Sequence, residues 1–336
     1  MSVLREELLK LLVVDSEQIA RLLPMAECIE LMSDALASLA RGEVYQPLRT
    51  IVRPPQARGL LGLMPAYRHG EHGAFGMKAI CVFPGNPSIG KDAHQGMVML
   101  FSQETGEPQA LMNASQITAT RTAAVSAVAT RLLARTDAGQ LGIIGAGVQA
   151  RTHLEALAIV RSIKHARVAC RTRDHAVQLV REMQDRVPFP LEAVNSNEEA
   201  VREADLIVTA TSAHEPVIKR EWIADGAHIN AIGTHSPQSR EIDTETMAAA
   251  RVFADRRESV LNEAGDYLLA AQEGAVTPES IVAEIGELLI QTKQGRRSPA
   301  EITLFKSLGL AVEDVVCAEY LFRKAKAENV GSWVEF

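Results

Sequence analysis

The sequence predicts an α/β protein that combines a doubly wound parallel sheet with a discontinuous α+β domain. From residue 140 onwards, short apolar segments alternate with helical ones, as they do when parallel strands are joined by helices. Between residues 49 and 101, short apolar segments separated by Pro, Gly and Asn follow one another directly, which indicates a mainly antiparallel sheet. The chain has 336 residues, of which 47% are hydrophobic, and this is enough for two cores of medium size.

The first part of the chain should contain a helix, a set of strands and a second helix. Apolar residues recur at helical spacing over residues 15–39, and Pro24 is typical of the first turn of a helix, so a helix of about 15 residues is expected there. A long helix rich in alanine and threonine is predicted at residues 115–133. Between these helices, strands are predicted at residues 49–52, 59–64, 76–82, 97–101 and, after a tight turn at 103–107, 108–112.

The second part of the chain should contain the parallel sheet. A helix is expected at about residues 150–160, and further helical segments should join the later strands. The strands are predicted at residues 140–144, 166–170, 191–194, 206–209, 228–232 and 252–254.

The C-terminal region is predicted to be helical and polar after residue 259. Residues 302–305, followed by Ser307-Leu308-Gly309, interrupt this pattern before a last helix at residues 312–325. Because this helix does not resemble a seventh strand-helix unit, we expect it to return to the N-terminal domain. The predicted domains are therefore residues 1–123 with 312–336, and residues 124–311.

The charge pattern argues against nucleic acid as the main partner. The formal net charge is -7 and acidic and basic residues are mixed along the chain, whereas phosphate binding requires a concentrated basic surface. The local basic runs are residues 171–173 and Arg296-Arg297, and the second of these is expected to be solvated surface.

Cysteine usage and hydropathy indicate a cytoplasmic protein. The four cysteines form no C-x-x-C pair and have no histidine at a zinc spacing, which predicts reduced thiols and no metal site. Residues 1–20 lack the charged, apolar and small segments of a signal peptide. No apolar run approaches the roughly 18 residues that span a bilayer, so no membrane association is expected.

A glycine motif at residues 145–150 carries the first functional signal. The motif reads Gly145-Ala146-Gly147-Val148-Gln149-Ala150, follows an apolar strand and opens a helix within a strand-helix-strand unit of about 30 residues. In that setting glycines let a pyrophosphate approach backbone N–H groups at a helix N-terminus. Ala150 stands in the third glycine position, where helix packs on strand. The motif predicts a Rossmann unit that binds NAD(P), and the alternative is a tight turn without a nucleotide.

The end of the second predicted strand favours NADP over NAD. An Asp or Glu at this point would bind the ribose hydroxyls of NAD, but the chain reads Cys170-Arg171-Thr172-Arg173. Two guanidinium groups and a hydroxyl suit a 2′-phosphate better than a diol. NAD remains possible if both arginines face solvent and Asp174 supplies the ribose contact.

Six segments of the chain match, in order, the motifs of one protein family. They are Phe83-Pro84-Gly85-Asn86-Pro87 after Lys78, His94-Gln95-Gly96, Thr118-Ala119-Thr120-Arg121-Thr122-Ala123-Ala124, Gly145-Ala146-Gly147-Val148-Gln149, Ala231-Ile232-Gly233 and Ser307-Leu308-Gly309. Through these motifs the chain resembles the ornithine cyclodeaminase/μ-crystallin family over nearly its whole length. The family includes cyclodeaminases, alanine dehydrogenases, reductases of cyclic and linear ketimines, and a hormone-binding crystallin without enzymatic activity.

The resemblance implies a homodimer in which residues 1–123 and 312–336 supply the subunit interface and a cationic substrate pocket that faces the nicotinamide. Arg49 and Arg121 match the family's carboxylate ligands, and Lys78 matches its active-site lysine. Arginine forks suit this role because a 2-imino or 2-amino acid must be held by its carboxylate during hydride transfer. Considered without the family, each of the three could be a surface cation.

Residues in both predicted domains complete the expected cofactor site. Thr122 is better placed for the cofactor than for the substrate, because it follows Arg121 on a helix that should point toward the nicotinamide. The predicted cofactor-binding residues are Thr122, Gly145, Gly147, Val148, Gln149, Arg171, Thr172, Arg173, Thr211 and Ser307.

His235 is the most informative departure from the family pattern. Ornithine cyclodeaminases and alanine dehydrogenases look to have an aspartate at the position two residues after Gly233, where this chain has His235. A neutral histidine can donate a proton as well as accept one, which suits an imine, and its alternative role is to shape the nicotinamide pocket.

We therefore predict a reductase of a small 2-imino carboxylate, such as 1-pyrroline-2-carboxylate, with Lys78 and His235 as catalytic residues. The reaction could run in reverse as an amino-acid dehydrogenase. The alternatives are an ornithine cyclodeaminase and a crystallin-like protein that binds NADPH and a ligand without turnover.

Overall fold

The computed structural model describes residues 9–336 of the chain, apart from the side chain of Pro87. Residues 1–8, on which the argument against a signal peptide partly rests, lie outside the described part. The chain forms two compact units. Of the described residues, the first unit contains 9–31 together with Arg41–Arg121 and Leu310–Phe336, and the second contains Met32–Ala40 and Thr122–Gly309.

The described chain contains sixteen strands and eleven α-helices. The strands are β1 (Lys10–Val14), β2 (Val44–Tyr45), β3 (Thr50–Val52), β4 (Leu60–Arg68), β5 (Ala74–Val82), β6 (His94–Ser102), β7 (Pro108–Asn113), β8 (Gln140–Ile144), β9 (His165–Ala169), β10 (Leu191–Ala193), β11 (Leu206–Thr209), β12 (His228–Ala231), β13 (Arg251–Ala254), β14 (Ile281–Glu284), β15 (Thr303–Lys306) and β16 (Ser332–Glu335). The helices are α1 (Ser16–Leu22), α2 (Met25–Ala40), α3 (Ala114–Leu133), α4 (Val148–Val160), α5 (Arg173–Met183), α6 (Asn197–Val201), α7 (Thr244–Ala249), α8 (Arg257–Glu263), α9 (Gly265–Gln272), α10 (Ile285–Leu289) and α11 (Ala311–Glu328).

The first unit is built on a mixed sheet in the order β16-β1-β7-β6-β5-β4-β2, with β3 also paired to β4. Strands β4 to β7 pair antiparallel, as predicted, and only β1 and β7 pair in parallel among the described strands of this sheet. Helix α11 packs against β4, β5 and β6. A Cβ atom on Gly76 would lie 2.6 Å from a methyl carbon of Val315, so glycine is needed where this helix crosses β5.

The second unit contains an eight-stranded sheet in the order β10-β9-β8-β11-β12-β15-β13-β14, in which every described pair is parallel. Strands β8 to β13 begin and end within one or two residues of their predicted bounds. The predicted fold class, a doubly wound parallel sheet with a separate mixed α+β unit, is confirmed.

Five of the described strands were not predicted from the sequence: β1, β2, β14, β15 and β16. Residues 302–305 were expected only to interrupt a helical region, but β15 is fully buried in the middle of the parallel sheet. β14 pairs beside β13 at the sheet edge, also within the region expected to be helical. Short apolar runs of this length do not distinguish a buried strand from a loop or helix segment by periodicity. Among the described strands, β16 pairs with β1 alone, a contact that no local pattern predicts.

Arg296 is not the solvated surface residue that the sequence indicated. Its guanidinium donates hydrogen bonds to the carbonyl oxygens of Leu133 at 2.6 Å and Ala227 at 3.2 Å and to the hydroxyl of Thr303 at 2.9 Å. The side chain of its neighbour Arg297 is exposed. The expectation was therefore wrong for Arg296, which stabilises the second unit by satisfying backbone carbonyls.

The part of the chain that the structure describes contains neither a membrane-spanning helix nor a cluster of metal-binding side chains. No helix within residues 9–336 has both the length and the apolar character required to cross a bilayer. The same residues contain no group of three or more His, Cys, Asp or Glu side chains arranged to hold a metal ion.

Candidate active site

The glycine loop joins β8 to α4 in a conformation that requires glycine. Gly145 has a φ of +119°, and a Cβ there would lie 2.4 Å from the carbonyl oxygen of Ala210. Gly147 is the N-cap of α4 and has no side chain to cap the helix, and the space around its missing Cβ is open. The first turn of α4 therefore presents backbone N–H groups and the positive end of a helix dipole to open space, which is how a pyrophosphate is bound.

Arg151 holds this loop from the helix side. Its Nη1 donates hydrogen bonds to the carbonyl oxygens of Ala146 at 2.9 Å and Gly147 at 3.1 Å. Its Nε also donates to the carboxylate of Glu182 at 2.9 Å, on α5. Because the loop carbonyls are engaged by Arg151, the conformation of the loop is fixed from within the second unit.

Two residues predicted to bind the cofactor have buried polar atoms without a hydrogen-bond partner among the described residues. These atoms are Oγ1 of Thr122, on α3, and Oε1 of Gln149, in the first turn of α4. A buried polar atom without a partner costs free energy, and such atoms in native structures often mark a ligand contact. The open helix N-terminus and these two atoms fit the polar edges of a dinucleotide.

His153 links these two helices, and the sequence analysis did not single it out. Its Nδ1 lies 2.7 Å from the carbonyl oxygen of Gln149 and its Nε2 lies 2.9 Å from the hydroxyl of Ser126. Burial lowers the pKa of His153 to about 4, so the imidazole is neutral. The neutral ring donates from Nδ1 to Gln149 and accepts at Nε2 from Ser126, which fixes the start of α4 to α3.

The turn that is predicted to bind the ribose end of the cofactor, residues 171–173, follows β9. Arg171, Thr172 and Arg173 are all exposed, and Thr172 is the N-cap of α5 but makes no side-chain capping bond. Neither arginine forms an ion pair with another described residue, and β9 ends at Ala169 without an acidic side chain. Asp174, the alternative ribose ligand, is also exposed.

A buried network of charged groups supports the loop that carries His235. Asp266 forms an ion pair of 2.8 Å with Lys306 and accepts a hydrogen bond of 2.7 Å from the hydroxyl of Thr234. Lys306 also donates to the carbonyl oxygen of Thr234 at 3.0 Å. Burial opposes ionisation of Asp266, but Lys306 and the hydrogen bonds hold the pKa of this carboxyl below its usual range. Thr234 is thus fixed next to His235, whose own side chain is exposed.

Glu241 belongs to the same region and explains the position of Thr211. Its carboxylate accepts hydrogen bonds from the N–H and hydroxyl of Thr211, both at 2.7 Å, and from the N–H of Gly233 at 2.7 Å. The Thr211 hydroxyl also accepts from the N–H of Ala213 at 3.1 Å. Burial raises the pKa of Glu241. The Thr211 side chain is therefore used within the loop, and the cofactor role of Thr211 stays a prediction.

Ser307 lies at the end of β15 in the parallel sheet. It is buried, and its N–H donates to the carbonyl oxygen of Ala231 at 3.1 Å. The N–H groups of the next two residues, Leu308 and Gly309, donate to the buried carboxylate of Asp255 at 2.6 and 2.7 Å. The Ser307-Leu308-Gly309 motif is thus held rigidly at the C-terminal edge of the sheet, where ligands bind in doubly wound folds.

The first unit brings Lys78 and Arg121 together around two carboxylates. Lys78 lies on the face of β5 that α11 covers, and its Nζ is 2.6 Å from Oδ2 of Asp314. Nη1 of Arg121 is 2.8 Å from Oε2 of Glu313, and its Nε is 3.4 Å from Oδ1 of Asp314. All four side chains are at most 5% exposed. We call these four residues the Lys78–Arg121 cluster.

The two acids of this cluster lie near the start of α11. Glu313 and Asp314 stand in its first turn, where negative charge is stabilised by the helix dipole. The helix start is fixed because the side-chain carbonyl of buried Gln46 accepts a hydrogen bond of 3.0 Å from the N–H of Val312. The sequence analysis missed both acids because such residues at a helix N-terminus are ordinarily solvated.

The environment of Lys78 shifts its protonation equilibrium toward the neutral range. Burial is the largest cause and, with the charges of Arg121 and Arg49, outweighs the opposing effect of Asp314, so the pKa of Lys78 falls from 10.5 to about 8. His94 is near enough for the charge of Lys78 to lower its pKa further, after partial burial has done so. A buried ammonium with a pKa close to neutral suits general acid–base chemistry.

Two features of the chain define a class of protein: a glycine loop of the dinucleotide-binding type in the second unit, and a pair of buried cations in the first unit. The profile of the ornithine cyclodeaminase/mu-crystallin family matches residues 10–329 of this chain. The chain belongs to this family, as the sequence motifs indicated.

The similarity extends to named relatives. The mouse ketimine reductase mu-crystallin is 40% identical over 294 residues, which is 86% of this chain and 88% of that protein. The structure of Delta(1)-pyrroline-2-carboxylate reductase of Thermococcus litoralis with NADH and L-proline has a TM-score of 0.94 and 38% identity, covering 96% of this chain and 99% of that one. An archaeal alanine dehydrogenase dimer with bound NAD has a TM-score of 0.91 and 34% identity, covering 98% and 100%.

Proposed function

We propose that this chain is an NAD(P)H-dependent reductase of small 2-imino carboxylates, of the ketimine or 1-pyrroline-2-carboxylate type. The observation that carries the proposal is the Lys78–Arg121 cluster, a buried pair of cations that includes a potential proton donor, in a chain with an open dinucleotide loop. The imine-reducing relatives bear out the reductase predicted from the sequence.

The chemistry requires a carboxylate anchor and a proton. When bound, the reduced nicotinamide supplies the hydride that the imine carbon accepts. Arg121 and Arg49 hold the substrate carboxylate, because guanidinium groups bind carboxylates in a fixed planar geometry. Lys78 donates a proton to the imine nitrogen, which becomes the amine nitrogen of the product. His235 is the second candidate for this proton transfer.

The residues of the second unit would hold the cofactor. The N–H groups at the start of α4 would bind the pyrophosphate, and the buried polar atoms of Thr122 and Gln149 would gain the partners that they lack among the described residues. Val148, whose side chain is 54% exposed at the helix start, would cover an apolar surface of the nucleotide. Thr211 and Ser307 stay part of the proposed site.

A panel of imines distinguishes the proposed reductase from its alternatives. Consumption of NADPH with 1-pyrroline-2-carboxylate or a linear ketimine would support it. A crystallin-like binding protein would quench NADPH fluorescence saturably without consuming it. An ornithine cyclodeaminase would release ammonia from ornithine with no net change in the cofactor. His235 disfavours this reaction, because the cyclodeaminases look to have an aspartate at that position.

We further propose that the enzyme prefers NADPH to NADH. The support is the exposed turn with Arg171, Thr172 and Arg173 and the lack of an acid at the end of β9. Replacing Arg171 by aspartate is expected to lower NADPH affinity about ten- to a hundred-fold, because a charge-assisted bond to a 2′-phosphate is worth roughly 1.5–3 kcal/mol, and to reverse the order of the cofactors. Fluorescence titration with both cofactors checks this.

Arg297→Asp is the matched control, because it makes the same change from a positive to a negative charge at an exposed arginine that belongs to no proposed site. Its dissociation constants should equal those of the wild type. Equal affinities of the wild type for NADPH and NADH would contradict the preference. The solved relatives described above carry NADH or NAD, so the residues of this chain alone support the choice of NADPH.

A homodimer formed through the first unit is the proposed assembly. One face of its antiparallel sheet is covered by α11, but the opposite face is apolar and remains partly exposed. Phe75 is 48% and Met97 is 45% exposed on it. Strand register places further apolar residues on this face, including Leu63, Met77, Met99 and Leu111. A second copy of the chain would bury this surface, and the similar alanine dehydrogenase is a dimer.

Charges placed on this face should separate the subunits. The double variant Phe75→Glu, Met97→Glu is expected to have the mass of a monomer by light scattering, because two carboxylates per subunit would be buried without partners. Ile159→Glu, at an equally exposed apolar position on α4, should keep the mass of a dimer. A monomeric mass for the wild type at micromolar concentration would rule the assembly out.

We also propose a cytoplasmic location. Cys28, Cys81, Cys170 and Cys317 are all free thiols, which suits a reducing compartment.

A further inference from the structure

Asp314 makes ion-pair contacts with two of the three proposed substrate-site cations, Lys78 and Arg121. Its Oδ2 lies 2.6 Å from Nζ of Lys78, and its Oδ1 lies 3.4 Å from Nε of Arg121. The carboxylate is fully buried, so water does not screen these contacts. One rigid group therefore sets the positions of both cations relative to each other.

Glu313 is next to Asp314 but has a different set of contacts. Its Oε2 lies 2.8 Å from Nη1 of Arg121, and its charge is not one of the main causes of the shift in the Lys78 pKa. The two neighbouring acids in the first turn of α11 thus have different roles. Both bind Arg121, and Asp314 also binds Lys78.

The charged groups around Lys78 come from four elements or their flanks. Asp314 comes from α11, Arg121 from α3 and Arg49 from the segment that leads into β3, and His94 on β6 lies within the field of Lys78. Burial, Arg121 and Arg49 all favour the neutral amine. Of the main causes that act on the pKa of Lys78, the charge of Asp314 and its hydrogen bond are those that favour the ammonium.

We propose that Asp314 is a positioning residue for the reduction: it keeps Lys78 protonated and aligned for proton donation while it orients Arg121 toward the substrate carboxylate. This inference rests on the proposed reductase function. Without the carboxylate, Lys78 would be a buried amine between two guanidinium groups and would lose its proton at a lower pH. The imine would then meet a group that cannot donate, although every substrate-binding cation was still present.

The test is the pH dependence of kcat/KM for imine reduction in Asp314→Asn. The limb on which activity falls as pH rises reports loss of the Lys78 proton, and it should move to lower pH by about one to three units, the usual effect of removing an opposite charge within contact distance. In Glu313→Gln the limb should stay at its wild-type pH while the KM for the imine rises, because only Arg121 loses a partner. NADPH affinity should be unchanged in both variants.

Asp314→Glu provides the second measurement if Asp314→Asn does not fold. Because glutamate retains the charge, its limb should stay within about half a pH unit of the wild type, whereas kcat should fall because the longer side chain displaces Lys78. A limb that stays in place in folded, active Asp314→Asn would overturn the proposal, as would a limb displaced by one unit or more in Asp314→Glu. Failure of the proposed function is a separate result, since the wild type would then reduce none of the imines.

Discussion

Replacing Lys78 by arginine is expected to lower kcat/KM for imine reduction by about a hundred- to ten-thousand-fold, the usual contribution of a general acid. Arginine keeps the positive charge beside Asp314, so the buried carboxylate is not left unpaired. A guanidinium does not release its proton in proteins, and it cannot serve as the donor. Steady-state kinetics with the best imine substrate measure the loss.

The pH dependence of kcat/KM in the wild type is a second test of Lys78 as the proton donor. The donor must carry its proton, and the pKa of Lys78 is about 8, so kcat/KM for reduction should be level below this pH and fall about tenfold per unit above it. In the direction of amine oxidation Lys78 must accept a proton, and the rate should instead rise through pH 8. The alkaline limb should disappear in Lys78→Arg.

Lys293→Arg is the control for this substitution, because Lys293 is exposed and outside both proposed sites. It should retain wild-type kinetics and the wild-type limb. If Lys78→Arg kept both its rate and its limb, the proton would have to come from elsewhere, and His235 would become the first residue to replace.

The sequence predicted those parts of the fold that depend on local periodicity. Strands β8 and β11 match their predicted bounds, because each is a short apolar run between turn residues. β15 has the same length and burial as β11, but it lies beyond the regular alternation of strands and helices, and a run of four residues carries no period that would identify it as a strand there. β1 and β16 depend on pairing between the two ends of the described chain, which no local window contains.

The candidate site, like the fold, was predictable from the sequence only where its residues form a local pattern. The glycine loop was predictable because its residues are consecutive and each has a mechanical reason to be there. Lys78, Arg49 and Arg121 were found only through the resemblance to the family, since an isolated cation in a strand or helix is ordinarily solvated. Asp314, the acidic partner of Lys78 and Arg121, was not predicted at all.

Asp314 shows why the remainder could not be predicted. In the sequence it is one of two acids at the start of a helix, a position that the helix dipole favours whether or not the residue has a function. Only the fold reveals that this helix turn faces β5 and Lys78. The same holds for Lys306, an isolated cation in the sequence that the fold makes a fully buried partner of Asp266.

Replacing Arg121 should lower kcat/KM about ten- to a hundred-fold or more, because a charge-assisted contact with the substrate carboxylate is worth roughly 1.5–3 kcal/mol. Arg121→Ala would also leave the buried acids Glu313 and Asp314 without the guanidinium, which destabilises the fold. Arg121→Lys separates the two effects: it keeps a charge for the acids but cannot form the planar, two-pronged contact that a carboxylate requires.

The matched control is Arg297→Lys, the same change at an exposed arginine, whereas Arg296 is unsuitable because it holds backbone carbonyls. NADPH affinity should stay within about twofold of the wild type in Arg121→Lys, since in this proposal the arginine contacts the substrate and not the pyrophosphate. Stopped-flow binding and steady-state kinetics give both quantities. Wild-type kcat/KM in Arg121→Lys and also in Arg49→Ala would mean that these cations do not hold the carboxylate, and a ligand-binding protein without turnover would become the better description of the chain.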